Sequence, residues 1–295
     1  MVSVDWEIPE DVIEDDANIG AVSALSQFLS ELKITPGVIH DLSNEDYHAH
    51  PSISKSGLDA INKSPAHYIK SEHKETPAFK KGTLIHCAIL EPDYLDSRYF
   101  ALTEKLDLRT KKGKEKYAEN EVIANGRIIV TAEEWVMATR VREEVSSHKI
   151  AKHLFDGGVS ETSIFSKLED TAVRCRPDYW NGSIVIDLKS TDDASQGFIR
   201  SAQKYRYYVQ HPYYCDVMAS EGIEISNFLF VAIEKTEPFG INVYELDDDA
   251  VDYGRSQYLR NLDTYKRCMD TGEWPCYEQS IKTLSLPRYV TNNRG

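Results

Sequence analysis

Apolar residues recur at helical spacing from Ala21 to Leu32, where Val22, Leu25, Phe28, Leu29 and Leu32 share a face. That stretch reads as a short docking helix or part of a linker. Ser52-Ile-Ser-Lys-Ser-Gly-Leu offers N-cap residues for a helix running towards Asn62, and Ser64-Pro65 restarts one with proline in its first turn. Gly82 to Leu90 predicts a largely apolar helix, and Ala132 to Phe155 a long amphipathic helix or a pair. The period changes after Gly157-Gly158. Val159 to Leu168, Ala172 to Arg176 and Ile184 to Leu188 read as strands, the last two joined by a two-residue turn at Asn181-Gly182. A helix is expected from about Ser195 to Ala219, broken near Tyr208 to Pro212 because proline lacks the N–H. Strands at Asn227 to Ile233 and Ile241 to Leu246 precede an amphipathic helix at Asp247 to Asp270. This order predicts an α/β fold, a core sheet with helices on its faces.

Residues 1–35 stand apart from that pattern. Glu7, Glu10, Asp11, Glu14, Asp15 and Asp16 make them an acidic, solvated, mobile segment. A compact domain is expected over residues 36–275, followed by a tail at 276–295. Lys105, Arg109, Lys111, Lys112, Lys114 and Lys116 lie in a stretch without periodicity, read as a mobile loop. It either tracks nucleic-acid phosphates through Lys111, Lys112 and Lys114 or is simply solvated. The 295 residues suffice for one large domain or two small ones. No run of 18 apolar residues and no signal-peptide pattern occur, so no membrane association and a cytoplasmic location are expected.

The net charge of −14 argues against a nucleic-acid partner unless charge is segregated or bound divalent cations invert the local field. The five cysteines form no C-x-x-C pair, which excludes the usual zinc framework and leaves reduced, mostly buried thiols.

The stretch from Arg174 to Lys189 carries the candidate chemistry. Alternation along a strand puts Val185, Asp187 and Lys189 on one face and Ile184, Ile186 and Leu188 on the other. A charged pair on an otherwise apolar strand needs a partner or a metal. Asp178 ends the preceding strand behind Pro177, and a tight turn would fold it towards Asp187. Two carboxylates and the Leu188 carbonyl would then suit one hard cation, with Lys189 orienting or deprotonating water or meeting charge on phosphate. An ordinary hairpin with solvated acids is the alternative. Gly82 and His86 share a helical face, as do Gln210 and Tyr214. His86 is read as a metal ligand or a core histidine, and Tyr214 as a DNA contact or plain packing. Ser52, Ser54 and Ser56 either cap a helix in the ordinary way or present its N-terminus to a 5′-phosphate. Glu91 and Glu161 are further acids, each a metal ligand or merely solvated or capping. Tyr205-Arg-Tyr-Tyr, with Arg200 and Lys204, suits stacking on an unpaired base or core packing.

Pro177-Asp178 followed by Asp187-Leu188-Lys189 resembles the signature of the PD-(D/E)XK nuclease superfamily, with Asp where Glu is commoner at the second acid. Gly82-Thr-Leu-Ile-His86 through Glu91 resembles the upstream helix motif of the RecB-like and phage exonuclease branch. Gln210-His-Pro-Tyr-Tyr214 resembles its downstream Q-x-x-x-Y motif. Ser54-Lys-Ser-Gly-Leu with Ser64-Pro-Ala-His-Tyr68 resembles its N-terminal helices. The run from Tyr47 to Leu58 is most similar to nuclease domains of the exonuclease VIII (RecE) type. The resemblance spans roughly residues 37–275.

It implies a restriction-endonuclease-like core with a central mixed sheet flanked by helices. It implies Mg²⁺, with Mn²⁺ able to substitute, on Asp178, Asp187, Leu188 and His86. Lys189 and Gln210 would join Asp178, Asp187 and His86 as catalytic residues. The implied activity is 5′-to-3′ digestion of double-stranded DNA from its ends to 5′-mononucleotides, leaving 3′ single strands for recombination. The implied assembly is a ring-shaped homo-oligomer working with a single-strand annealing protein. A related endonuclease or end-processing nuclease, and a non-catalytic DNA-binding module, are the alternatives.

Overall fold

The structure is a computed structural model that describes residues 37–71 and 77–285. The acidic segment and the helix expected at Ala21 to Leu32 lie outside the described residues. The chain runs β1 (Gly37–Ile39), α1 (Asn44–Ala49), α2 (Lys55–Lys63), α3 (Pro65–Ile69) and α4 (Pro77–Leu90). After a 3-10 turn come α5 (Leu95–Arg98), β2 (Tyr99–Ala101), α6 (Lys111–Ala124), β3 (Ile128–Val130), α7 (Ala132–Ser147) and α8 (Ala151–Leu154). The strand-rich half holds β4 (Val159–Ser160), β5 (Ser163–Leu168), β6 (Thr171–Cys175), β7 (Tyr179–Asn181) and β8 (Ile184–Thr191). It closes with α9 (Gln196–Lys204), α10 (Tyr207–Ser220), β9 (Asn227–Glu234), β10 (Ile241–Glu245) and α11 (Asp248–Thr271).

The central sheet is five-stranded and mixed, in the order β10-β9-β8-β7-β4. Only β8 and β9 run parallel in it, and α9 and α10 lie in the crossover between them. A second sheet, β1-β5-β6, adjoins it, and β2 pairs with β3 separately. The alternation of β8 sorts its residues between two cores. Val185 packs with Phe228, Phe230, Val209, Tyr213 and Tyr258 under α10 and α11. Ile186 and Leu188 pack with Val231, Ile233, Ile85 and Val141 under α4 and α7. The result is the expected α/β architecture, a mixed sheet between helical layers.

Four local readings are corrected by the structure. The strand expected over Val159 to Leu168 is broken into β4 and β5 at Glu161, whose φ is +49°. The hairpin turn consists of Gly182 and Ser183, since Asn181 pairs with Ile184, and it joins β8 to β7 rather than to β6. Pro177 cannot donate to a ladder, and there the chain leaves the β5-β6 sheet for the central one. The break in the Ser195–Ala219 helix falls at Arg206 (φ +56°), while Pro212 sits inside α10. The Tyr208 carbonyl that Pro212 leaves without a helical donor faces Gly254 of α11, where a Cβ would stand 1.7 Å from it. Finally, half of the basic stretch is helical. Thr110 caps α6 through Gly113 N–H at 3.0 Å, and Lys111 pairs with Glu115 at 3.7 Å. Lys111, Lys112 and Lys114 are exposed on its first turns. The charge run hid a helix because its apolar positions begin only at Tyr117.

The five cysteines are unpaired, and Cys87, Cys175 and Cys268 are buried. No helix among the described residues is long and apolar enough to cross a membrane.

Candidate active site

The site forms where the chain changes sheets. The antiparallel ribbon β4-β5/β6-β7 is interrupted on both strands at one level, by Glu161 on one side and Arg176-Pro177-Asp178 on the other. Glu161 N–H donates to the Asp178 carbonyl at 3.0 Å, so the two acids sit opposite each other at the break. Such an irregularity re-aims side chains out of the regular alternation. His86 enters from α4, whose preceding turn at Gly82 faces Ser190 at the end of β8. Its Nδ1 lies 3.8 Å from Asp178 Oδ2 and 3.9 Å from Glu161 Oε1. One ligand atom each from His86, Glu161 and Asp178 fall within 4.8 Å of one another.

Asp187 and Lys189 adjoin this cluster on β8. Asp187 is only 1% exposed. Its Oδ1 accepts from Gln210 Nε2, and its Oδ2 is ion-paired with Lys189 Nζ but lacks a well-directed hydrogen bond. Asp178 is joined to the same strand, since its Oδ2 accepts from Leu188 N–H at 2.7 Å. In a strand the N–H and C=O of one residue point to the same edge, so the Leu188 carbonyl is directed to Asp178's side. Lys189 Nζ also lies 5.0 Å from the centroid of the Tyr207 ring.

Burial pushes the Asp187 carboxyl up to about 6, with Lys189 opposing and Asp178 adding to the rise. Burial raises Asp178 too, against His86 and Lys189. For His86, burial pulls downwards but Asp178 and Glu161 outweigh it, and the net shift is upwards. Burial likewise opposes the charge on Lys189, yet Asp187 and Asp178 raise its pKa. Asp187 and Asp178 face Lys189, and Asp178 and Glu161 face His86, so acidic groups outnumber the lysine in the site.

The donor set fits a hard divalent cation. It offers carboxylate oxygens from Glu161 and Asp178, one imidazole from His86 and a backbone carbonyl edge. Asp178, His86 and Leu188 from the sequence reading converge here, and Asp187 stands next to them, outside the 4.8 Å group. Glu161 takes the third place in that group. Glu91 does not join it, because Arg98 Nη2 engages its carboxylate at 2.8 Å.

The remaining sequence candidates lie around this centre. Gln210 is buried on Asp187. Tyr214, one turn later, packs edge-on against Phe228, and burial raises its hydroxyl pKa well above normal. Ser54 caps α2 through Gly57 N–H at 3.3 Å, and its hydroxyl lies 2.9 Å from that of the exposed Ser56. Lys55 beside them feels the charge of Lys189. Sequence reasoning missed Asp59, which braces the start of α10 through a 2.7 Å contact with Arg206 of the Tyr205-Arg-Tyr-Tyr run.

Over residues 54–286 the sequence matches the family described as "PDDEXK-like domain of unknown function (DUF3799)". The chain belongs to this family. A crystal structure from Eubacterium rectale, of a protein provisionally named an exonuclease, is similar in fold with a TM-score of 0.58. The match covers 87% of this chain and 100% of that one at 13% identity, a likeness of fold. No curated protein matches the sequence. The matched range includes Pro177 to Lys189.

Proposed function

We propose that this PDDEXK-like protein is a Mg²⁺-dependent 5′-to-3′ exodeoxyribonuclease acting on double-stranded DNA ends. The observation that carries the reading is the convergence of His86, Glu161 and Asp178 beside a buried Asp187–Lys189 pair. His86, Glu161 and Asp178 would hold the ion, with Asp187 and the Leu188 carbonyl on its β8 side. Bound there, a divalent cation supplies Lewis acidity towards a phosphodiester and lowers the pKa of an attacking water.

The chain's own groups do the rest. Lys189, kept charged by its carboxylate neighbours, offers a fixed cation to negative charge growing on the phosphate. Gln210 fixes the Asp187 carboxylate so that one oxygen faces Lys189. Ser54 and Ser56 at the start of α2, Tyr214, and Lys111, Lys112 and Lys114 on α6 are proposed to contact the DNA. Direction, release of 5′-mononucleotides and a role in recombination follow the motif resemblance. So do a ring-shaped homo-oligomer and a single-strand annealing partner.

The test is digestion of a 5′-phosphorylated, end-labelled linear duplex beside a covalently closed circle. Release of 5′-mononucleotides from the linear DNA alone, dependent on Mg²⁺ and stopped by EDTA, is expected. Cleavage of the circle would replace this reading with an endonuclease.

A further inference from the structure

A pair of stacked rings with a lysine at each end leads outwards, starting at the candidate catalytic lysine. Lys189 Nζ lies 5.0 Å from the Tyr207 centroid. Tyr207 stacks on Tyr205 at 6.0 Å with 26° between planes. Lys204 Nζ lies 5.0 Å from the Tyr205 centroid. Tyr207 is partly buried against Phe230 and Phe198, whereas Tyr205 is 51% exposed.

Tyr205 is held in place by its backbone. Its carbonyl accepts from Lys55 Nζ at 2.6 Å, and the same ammonium meets Asp59 Oδ2 at 2.6 Å. Asp59 also accepts from Arg206 Nη1 at 2.7 Å. Arg206 has φ +56°, a conformation that costs a non-glycine residue energy and persists only where neighbours enforce it. The Lys55–Asp59–Arg206 network enforces the kink between α9 and α10 that presents Tyr205. An exposed ring braced at such a kink is more than a leftover of core packing.

We propose that Tyr205 is a stacking platform for an unpaired nucleobase close to the scissile phosphate, so that the site takes a frayed or single-stranded DNA end. This rests on the nuclease reading above for the location of the phosphate. The chemistry matches the occupant. A nucleobase stacking its π-face on the outer face of Tyr205 displaces the flexible Lys204 ammonium from that ring, and the freed ammonium is then available to the backbone phosphate, as Lys189 is on the inner side. Every base has such a face, so the platform selects unpaired structure rather than sequence.

The experiment uses the full chain and a 5′-phosphorylated duplex with a short frayed end carrying 2-aminopurine, with Ca²⁺ in place of Mg²⁺. Fluorescence reads stacking, anisotropy reads binding, and hydrolysis with Mg²⁺ is measured separately. Wild type and Tyr205→Phe should quench 2-aminopurine on binding. Tyr205→Leu should bind about 10-fold more weakly and lose the quench. Equal quenching by bound Tyr205→Leu would overturn the proposal, as would Tyr205→Phe behaving like Tyr205→Leu. Hydrolysis by wild type without quenching removes the platform and leaves the nuclease reading. Quenching without hydrolysis keeps the platform and removes the nuclease. Absence of DNA binding by wild type removes both.

Discussion

Asp178 Oδ2 accepts a 2.7 Å hydrogen bond from the backbone N–H of Leu188, ten residues further along the chain. The bond begins just past the point at Pro177 where the chain changes sheets, and the loop it closes holds β7, the Gly182-Ser183 turn and the first residues of β8. The first acid of the signature is thereby fixed by backbone to the strand that carries the second acid and the lysine. The same Asp178 oxygen lies 3.8 Å from His86 Nδ1, so the backbone bond also fixes the carboxylate against the imidazole.

Gln210→Ala should impair turnover more than substrate affinity. The substitution leaves Asp187 Oδ1 buried without its donor, and an unmade bond to a buried charged group costs about 1–3 kcal/mol. A fall in kcat of about 10- to 100-fold with little change in KM is expected from steady-state kinetics. A change confined to KM would place Gln210 in substrate binding.

Gly254→Ala should destabilise the fold. Its Cβ would stand 1.7 Å from the Tyr208 carbonyl and 3.2 Å from Pro212 Cγ, so α10 and α11 must move apart. Overpacking of this kind costs about 1–3 kcal/mol, and a melting temperature lower by several degrees should follow. An unchanged thermal melt would contradict the close crossing of these helices.

Acid should weaken the protein through two buried histidines that are not among the candidate metal ligands. Burial pulls His50 and His211 down to about 4, from an ordinary 6.5. The neutral ring of His50 is in use, since its Nδ1 accepts from Ser52 N–H at 3.2 Å. His211 stacks on Phe228 at 4.9 Å. With folded pKa values below the unfolded one, their contribution is complete above about pH 6.5. It disappears as pH falls through about 4. Each is worth at most about 3 kcal/mol, reduced to about 1–2 by solvent screening. Urea midpoints measured from pH 7.5 to 4 should fall in wild type, and the fall should be shallower in His50→Asn/His211→Gln.

Where the chemistry depends on local periodicity, the sequence reveals it. Asp187 and Lys189 share a face because strand side chains alternate, and Ile186 and Leu188 point the other way for the same reason. Gln210 is visible through its motif, but its contact with Asp187 depends on a crossover that periodicity does not reveal. Glu161, like Glu91, is an acid of open role in the sequence, and a positive φ and a cross-strand register with Asp178 are what bring it to the cluster. No composition signal marks either. The kink at Arg206 escapes for a similar reason. Pro212 attracts the expected break, yet the close approach of Gly254 lets the helix run through it, and the Asp59 contact enforces the bend six residues earlier. The nuclease signature was legible as a pattern, whereas its convergence at a sheet junction is a tertiary fact.

Titration of Mn²⁺ into the 295-residue chain and its Asp178→Ala variant, followed by calorimetry, tests the proposed metal centre most directly. Wild type should bind the ion with a defined stoichiometry. Asp178→Ala, which removes the oxygen shared by the His86 and Leu188 contacts, should bind at least about 100-fold more weakly while its circular dichroism stays that of a folded protein. Equal affinity in the two proteins, or no binding by wild type, would contradict the account.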